Sequence, residues 1–215
     1  FRTVQGEGSL AGTPAVFLRL GGCNLWSGHE NTRGNGLGDC ASWCDTDFIN
    51  AEKVEVAPLV EMVRNKAAGM KSPLVVITGG EPLLQLKKQS GVELLSELRK
   101  SGFKIAIETN GTVEIPIMLR AKLDHITVSP KVLNKDPKSL RNIKIRRGTD
   151  LKVVVPSPMA DMLKEMSNWE FEHFFVQPKD VGADNGKSSL STTIELAEKY
   201  GFRISVQTHK MLGLP

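Results

Sequence analysis

Seven short apolar runs recur along the chain: AVFLRL (15–20), LVVIT (74–78), KIAIE (104–108), HITV (125–128), LKVVV (151–155), HFFVQ (173–177) and RISVQ (203–207). They are rich in β-branched and aromatic residues and lack the strict polar alternation of a half-exposed strand, so strands buried on both faces are predicted. Between most of them lie helix-like segments, VAPLVEMVRNKAAG, GVELLSELRKSG and SLSTTIELAEKYG. The first two place apolar residues at helical spacing, and the last two close on glycine. This alternation predicts a mostly parallel α/β sheet, doubly wound or curved into a barrel. No repeat, low-complexity tract or linker interrupts it, and 215 residues at 40% hydrophobic composition suffice for one core. Residues 1–215 are therefore read as a single domain.

In parallel α/β folds the functional loops follow the carboxyl ends of the strands. Six polar loops do so here: the cysteine-bearing stretch after Leu20, TGGEP after Ile77, ETNGT after Ile107, SPK after Val128, QPKD after Val176 and QTHK after Val206. Their convergence on one rim is the layout of a cofactor enzyme more than of a binding scaffold. The loop 21–48 holds Cys23, Cys40 and Cys44, with sixteen and then three residues between them. Three thiolates can hold three irons of a cubane cluster and leave the fourth open to a ligand. With His29 as a fourth ligand they could equally make a structural zinc site, and they could also be plain buried thiols. The pair Gly79-Gly80 would let backbone amides approach a charged group such as an amino-carboxylate, or it is an ordinary strand-to-helix turn.

Composition narrows the setting. An odd cysteine count confined to one loop argues against disulfides and for reduced thiols, and hence for a cytoplasmic protein. No apolar run approaches the roughly 20 residues of a membrane span, and no signal-peptide pattern opens the chain. The net charge is +4, but lysines and arginines are scattered, which reads as solvated surface and not as a nucleic-acid footprint. The three tryptophans are too dispersed for a base-stacking platform. The chain opens at Phe1 without a methionine, directly in FRTVQGEG, so a short N-terminal piece that could carry a strand is expected to precede it.

A GCN-type cysteine loop ending in CDT, followed by TGGEP after the second strand, resembles the radical S-adenosylmethionine (SAM) superfamily. In that superfamily a three-cysteine 4Fe-4S cluster is chelated at its open iron by the amino and carboxylate groups of SAM. Within it, FRTVQGEG, PAVFLRLGGCNLW, CDTDF, ETNGT, SPK, QPKD, QTHK and the C-terminal proline together resemble the 7-carboxy-7-deazaguanine synthase family over nearly the whole chain. The resemblance implies a reduced or incomplete (βα) barrel with a mostly parallel sheet, and Cys23, Cys40 and Cys44 on the cluster. It implies a SAM site formed by Trp43, Gly80, Glu108, Ser129-Pro130-Lys131 and Gln177-Pro178-Lys179-Asp180. A pterin substrate would be held by Val4, Gln5, Gly6, Glu7, Arg19, Thr78, His209 and the terminal carboxylate of Pro215, with Mg²⁺ on Thr46 beside it. The implied reaction converts 6-carboxy-5,6,7,8-tetrahydropterin to 7-carboxy-7-deazaguanine with ring contraction and loss of ammonia, on the route to the queuosine tRNA base. One electron from a reductase such as a flavodoxin would open SAM into methionine and a 5′-deoxyadenosyl radical, and the assembly would be a homodimer. The superfamily's usual gaps between cysteines are three residues and then two. A long first insertion is similar to the synthase family, but the extra residue between Cys40 and Cys44 departs from it and leaves the path of Ala41-Ser42-Trp43 open.

Single residues also have structural readings. Arg19, placed inside an apolar strand, needs an anion if it is buried, and a substrate carboxylate would satisfy it bidentately. Gln5 and Glu7 could belong to a surface turn, Glu108 could make a buried hydrogen bond, His209 could cap the last strand, and Lys131 could be solvated. His125 and His173 read as structural. Two rival functions remain: an enzyme that installs a glycyl radical on a partner protein, which would need neither QGEG nor Arg19, and a non-catalytic module stabilised by zinc.

Overall fold

The computed structural model describes residues 1–131, 136–155, 160–179 and 189–214. Eight strands form one sheet: β1 (Arg2–Val4), β2 (Pro14–Leu20), β3 (Leu74–Gly79), β4 (Lys104–Thr109), β5 (His125–Val128), β6 (Arg147–Val155), β7 (Glu170–Pro178) and β8 (Arg203–Ile204). Each strand pairs with its predecessor, β1 antiparallel to β2 and all the others parallel. The crossovers carry α1 (Val56–Ala67), α2 (Leu83–Leu86), α3 (Gln89–Lys100), α4 (Ile117–Arg120), α5 (Ala160–Met166) and α6 (Leu190–Tyr200), and α7 (Thr208–Met211) follows β8. Strands laid down in sequence order with helical crossovers curl one way, as in a barrel. Here β1 and β8 are the two edges of the sheet, so the barrel is incomplete, as expected.

The two faces of the sheet do different work, because neighbouring side chains on a strand point to opposite sides. On the convex face Val16, Leu18, Val75, Ile77, Ile105, Ile107, Leu151 and Val153 merge with Val60 and Val63 of α1 and Leu94, Leu95 and Leu98 of α3 into one core. On the concave face a small cluster of Ala15, Leu74, Val76 and Ala106, covered by Leu10 and Phe17, closes the amino-terminal end. Toward the carboxyl ends the same face turns polar, with Arg19, Thr78, Glu108, Thr127, Lys152 and Gln177 around a cavity. The expectation of strands apolar on both faces therefore holds only for their amino-terminal halves.

The predicted strands are found, with shifted ends. The run 203–207 is strand only over Arg203–Ile204. As the edge, β8 pairs on one side, and the Ser205 hydroxyl is used to donate to Gln177 Oε1 at 2.9 Å and to accept from Gly8 N at 3.0 Å. The opening segment forms β1, and the loop behind it crosses the concave face toward β6 and β8. The predicted helices form close to their expected limits, and Gly201 ends α6 with φ +69°. Among the described residues no helix is long and apolar enough to cross a membrane. Leu98 is fully buried in the convex core, so Leu98→Ala is expected to lower the unfolding free energy by about 2–5 kcal/mol, measured in urea.

Candidate active site

The cavity at the carboxyl ends of the strands has a volume of about 460 Å³, within the range of small-ligand sites. The cysteine loop forms one wall through Cys23, Cys40, Trp43, Cys44 and Thr46, and the loop after β1 and α7 form another through Gln5, Glu7, Gln207 and His209. Between them stand the strand ends, with Arg19 beside Thr78, and Val154 beside Gln177, in register.

All three cysteines are free. Cys40 is buried in a 3₁₀ turn (Asp39–Ser42), and Cys44 N donates to Cys40 O at 2.7 Å while Trp43 N donates to the same oxygen at 3.0 Å. The extra residue is thus absorbed in one closed turn, which leaves Cys40, Trp43 and Cys44 all on the cavity wall. Burial pushes the Cys40 thiol up to about 12 and raises that of Cys23 as well. These are protonated thiols whose protons a metal would displace. His29 is exposed on a separate turn and does not line the cavity, so the four-ligand zinc set is not assembled. Among the described residues no three side chains of His, Cys, Asp or Glu are gathered closely enough to hold a single ion. The three thiols share one cavity wall, as thiolate ligands of a cluster would need to.

Gly79, with φ +154°, and Gly80 are both sterically required: a Cβ on the first would strike Leu20 O, and one on the second would strike Gly22 O and the Cys23 side chain. Glu81 N then donates to Gly22 O at 2.8 Å. The double glycine thus packs TGGEP directly onto the cysteine loop. The Glu81 carboxylate is fully buried and accepts from Leu83 N (3.0 Å), Asn110 N (2.8 Å) and Thr109 Oγ1 (2.8 Å). Burial raises its pKa, and those donors oppose the rise. Asn110 Nδ2 donates to Asn24 Oδ1 at 3.1 Å, and Asn24 Nδ2 to Thr112 Oγ1 at 2.8 Å. The loops after β2, β3 and β4 thereby become one unit.

The opposite wall is built on charge. Gln5 Nε2 donates to Glu108 Oε1 at 2.8 Å, and burial raises the Glu108 carboxyl. Glu108 therefore lines the cavity and makes the hydrogen bond expected of a buried carboxylate. Glu7 pairs with Lys152 and accepts from Gln177 Nε2 (3.0 Å) and Gln207 Nε2 (2.7 Å). Burial lowers Lys152 to about 8, and the touching carboxylate works in the other direction. Gly6 O accepts from Thr208 N at 2.9 Å, and a Cβ on Gly6 would collide with His209. His209 is half-buried, and its pKa is lowered first by burial and then by Lys210 and Lys152. Lys210 reaches back to Asp45 at 2.9 Å and ties α7 to the cysteine loop.

Of the other expected residues, Val4, Thr46, Thr78, Ser129, Lys131 and Pro178 line the cavity. Lys131 donates to Ser129 Oγ at 2.8 Å and lies 5.3 Å above the Trp43 ring, with Lys179 6.0 Å above it. Pro130 is buried behind the wall. Asp180 and Pro215 lie outside the described residues. Arg19 corrects an expectation: it lines the cavity but is exposed, with its guanidinium 6.0 Å from the Phe1 ring. Burial therefore does not force an anion on it. His125 Nε2 stands 3.2 Å from Asp150 Oδ2, a structural position. Sequence reasoning missed Glu81, Lys152, Gln207, Asp45 and Lys210. Lys152 carried the same signal as Arg19, a cation within an apolar run.

An incomplete, mostly parallel barrel with three thiols beside a glycine turn at its carboxyl rim is the layout of a radical SAM protein, and residues 40–156 match the model of the Radical SAM superfamily. Over its full length the chain is 39% identical to the 7-carboxy-7-deazaguanine synthase of Caulobacter vibrioides, covering 96% of that protein. It is likewise 39% identical to the one from Bordetella pertussis, again over 100% of this chain and 96% of the relative. The chain belongs to the 7-carboxy-7-deazaguanine synthase family of radical SAM enzymes, which brings a 4Fe-4S cluster and SAM as cofactors. The crystal structure of QueE from Escherichia coli shares the fold, with a TM-score of 0.62 over 96% of this chain and 91% of that one at 24% identity.

The Glu81 junction yields a test of the wall it organises. An amide has one acceptor oxygen where the carboxylate has two, so Glu81→Gln is expected to lower stability by about 1–3 kcal/mol in urea unfolding.

Proposed function

We propose that this chain converts 6-carboxy-5,6,7,8-tetrahydropterin to 7-carboxy-7-deazaguanine, with ring contraction and loss of ammonia. The observation that carries the reading is one cavity with two unlike walls: three thiols and a close-packed glycine turn on one side, and a charged, amide-rich set on the other. A cofactor and a small polar heterocycle can thus lie side by side. In this reading Cys23, Cys40 and Cys44 hold the cluster. Gly80, Trp43, Glu108, Ser129-Pro130-Lys131 and Gln177-Pro178-Lys179-Asp180 form the SAM site. When bound, cluster and SAM supply a carbon radical by one-electron cleavage.

The chain's own part is positioning. Glu7 accepts from the N–H groups of the aminopyrimidine edge, with Gln5 next to it and the backbone of Val4 and Gly6 alongside. Arg19, free of any ion pair among the described residues, pairs with the substrate carboxylate. Thr78, His209 and the carboxylate of Pro215 complete the substrate side. Thr46 offers a hard oxygen to Mg²⁺. Residues 1–215 act as one domain, as length and composition indicate, in a cytoplasmic protein, as the cysteine usage indicates; the homodimer and a one-electron reductase such as a flavodoxin as partner rest on the family resemblance.

Anaerobically reconstituted protein given SAM, reductant, Mg²⁺ and the tetrahydropterin is expected to form carboxydeazaguanine by mass spectrometry, and SAM cleavage without that product would overturn the substrate. Cys23→Ala is expected to lose the brown iron-sulfur absorbance and SAM cleavage together. An iron-replete, SAM-cleaving Cys23→Ala protein would contradict the ligand assignment. Thr46→Ala is expected to keep the absorbance and weaken the response to Mg²⁺, and an unchanged Mg²⁺ titration would remove Thr46 from the metal site.

A further inference from the structure

The concave face of β6 carries a buried acid and a buried base two residues apart, Asp150 and Lys152. Both reach the loop after β1. Asp150 accepts from Ser9 N at 2.8 Å and Ser9 Oγ at 2.7 Å, and Lys152 pairs with Glu7. The side chains of Lys152 and Glu7 are 6% and 12% exposed, so each charge depends on the other.

A relay fixes which way the neighbouring amide points. Gly8 N donates to Ser205 Oγ, Ser205 Oγ donates to Gln177 Oε1, and the Gln177 NH₂ is thereby left facing Glu7 Oε1. Gln207 brings a second NH₂ to the same oxygen. Three donors converge on Glu7, and a protonated acid would set its own O–H against one of them. A carboxylate has about four acceptor directions, so one remains for a ligand in the cavity.

We propose that Lys152 is a positioning residue that keeps Glu7 an anion with its free acceptor direction turned to the cavity, and so selects ligands presenting an N–H edge, such as a 2-aminopyrimidinone. This rests on the substrate reading given above. Lys152 acts through Glu7 and not on the reacting atoms, so its removal weakens substrate binding and leaves the SAM site alone.

The test uses the full chain and 6-carboxypterin, an oxidised and stable pterin, titrated calorimetrically without SAM and alongside turnover. Lys152→Met is expected to raise the pterin Kd and the KM for 6-carboxytetrahydropterin by at least about tenfold, as when one partner of a buried charge pair is truncated, with the KM for SAM unchanged. Lys152→Arg is expected to recover most of the affinity. The double variant Glu7→Gln/Lys152→Met is expected to bind no more weakly than Glu7→Gln alone. Wild-type pterin affinity in Lys152→Met, or effects of the two substitutions that multiply, would overturn the proposal. If Lys152→Met does not fold, the double variant decides. Removing both charges is expected to restore folding, and a double variant as unstable as Lys152→Met would overturn the pairing. Wild-type protein that binds no 6-carboxypterin overturns the substrate reading and this inference with it, whereas wild-type binding with an unaffected Lys152→Met overturns this inference alone.

Discussion

A single buried carboxylate, that of Glu81, sets the geometry on which the cysteine wall depends. It stands at the start of a short helix and gathers a backbone amide of its own turn, a backbone amide of the next strand-end loop and a threonine hydroxyl. A charge with no exposure is tolerated only when such donors surround it. Because they come from different crossovers, satisfying the carboxylate and locking the loops together are the same event. The Glu81 amide meanwhile donates to Gly22 O, so the cysteine loop is attached to that lock one residue from its first thiol.

The two walls are held by different forces. On the cysteine side the fully buried Glu81 carboxylate, the amide and carbonyl groups around it and close glycine packing set distances that salt barely affects. On the substrate side the principal links are ionic, Glu7 to Lys152 and Asp45 to Lys210, with Asp150 beneath accepting from Ser9. The first of these is sheltered from solvent and keeps its strength, while Asp45 is exposed and its bridge with Lys210 is screened by ions. The site thus has a stiff half beside the cluster loop and a half whose outer fastening answers to ionic strength.

Much of this was legible in the residues. The apolar runs located all seven parallel strands, because a strand packed under helices must be apolar on that side. The three cysteines, the glycine pair and QGEG come to one cavity. What escaped was polar chemistry inside those same runs. LKVVV was read as core, yet alternation turns Lys152 inward to meet an acid 145 residues away in sequence, and no local pattern encodes that partner. The same logic predicts an anion for Arg19, but its position opens to solvent. Glu81 was hidden inside a motif read for its glycines. The turn from Cys40 to Cys44 could not be foreseen either, because an inserted residue can bulge or wind, and hydrogen bonding to Cys40 O decides for winding.

The loop after β1 lies against residues that follow β8, through Gly6 with Thr208 and Glu7 with Gln207, pairs about 200 positions apart. The cysteine loop and strands β2 to β4 precede β6, β8 and α7 in the chain and are synthesised before them. The floor under Glu7 arrives with β6, and its far side arrives only with α7. The thiol wall is therefore made before the strand and helix that give the pocket its second side.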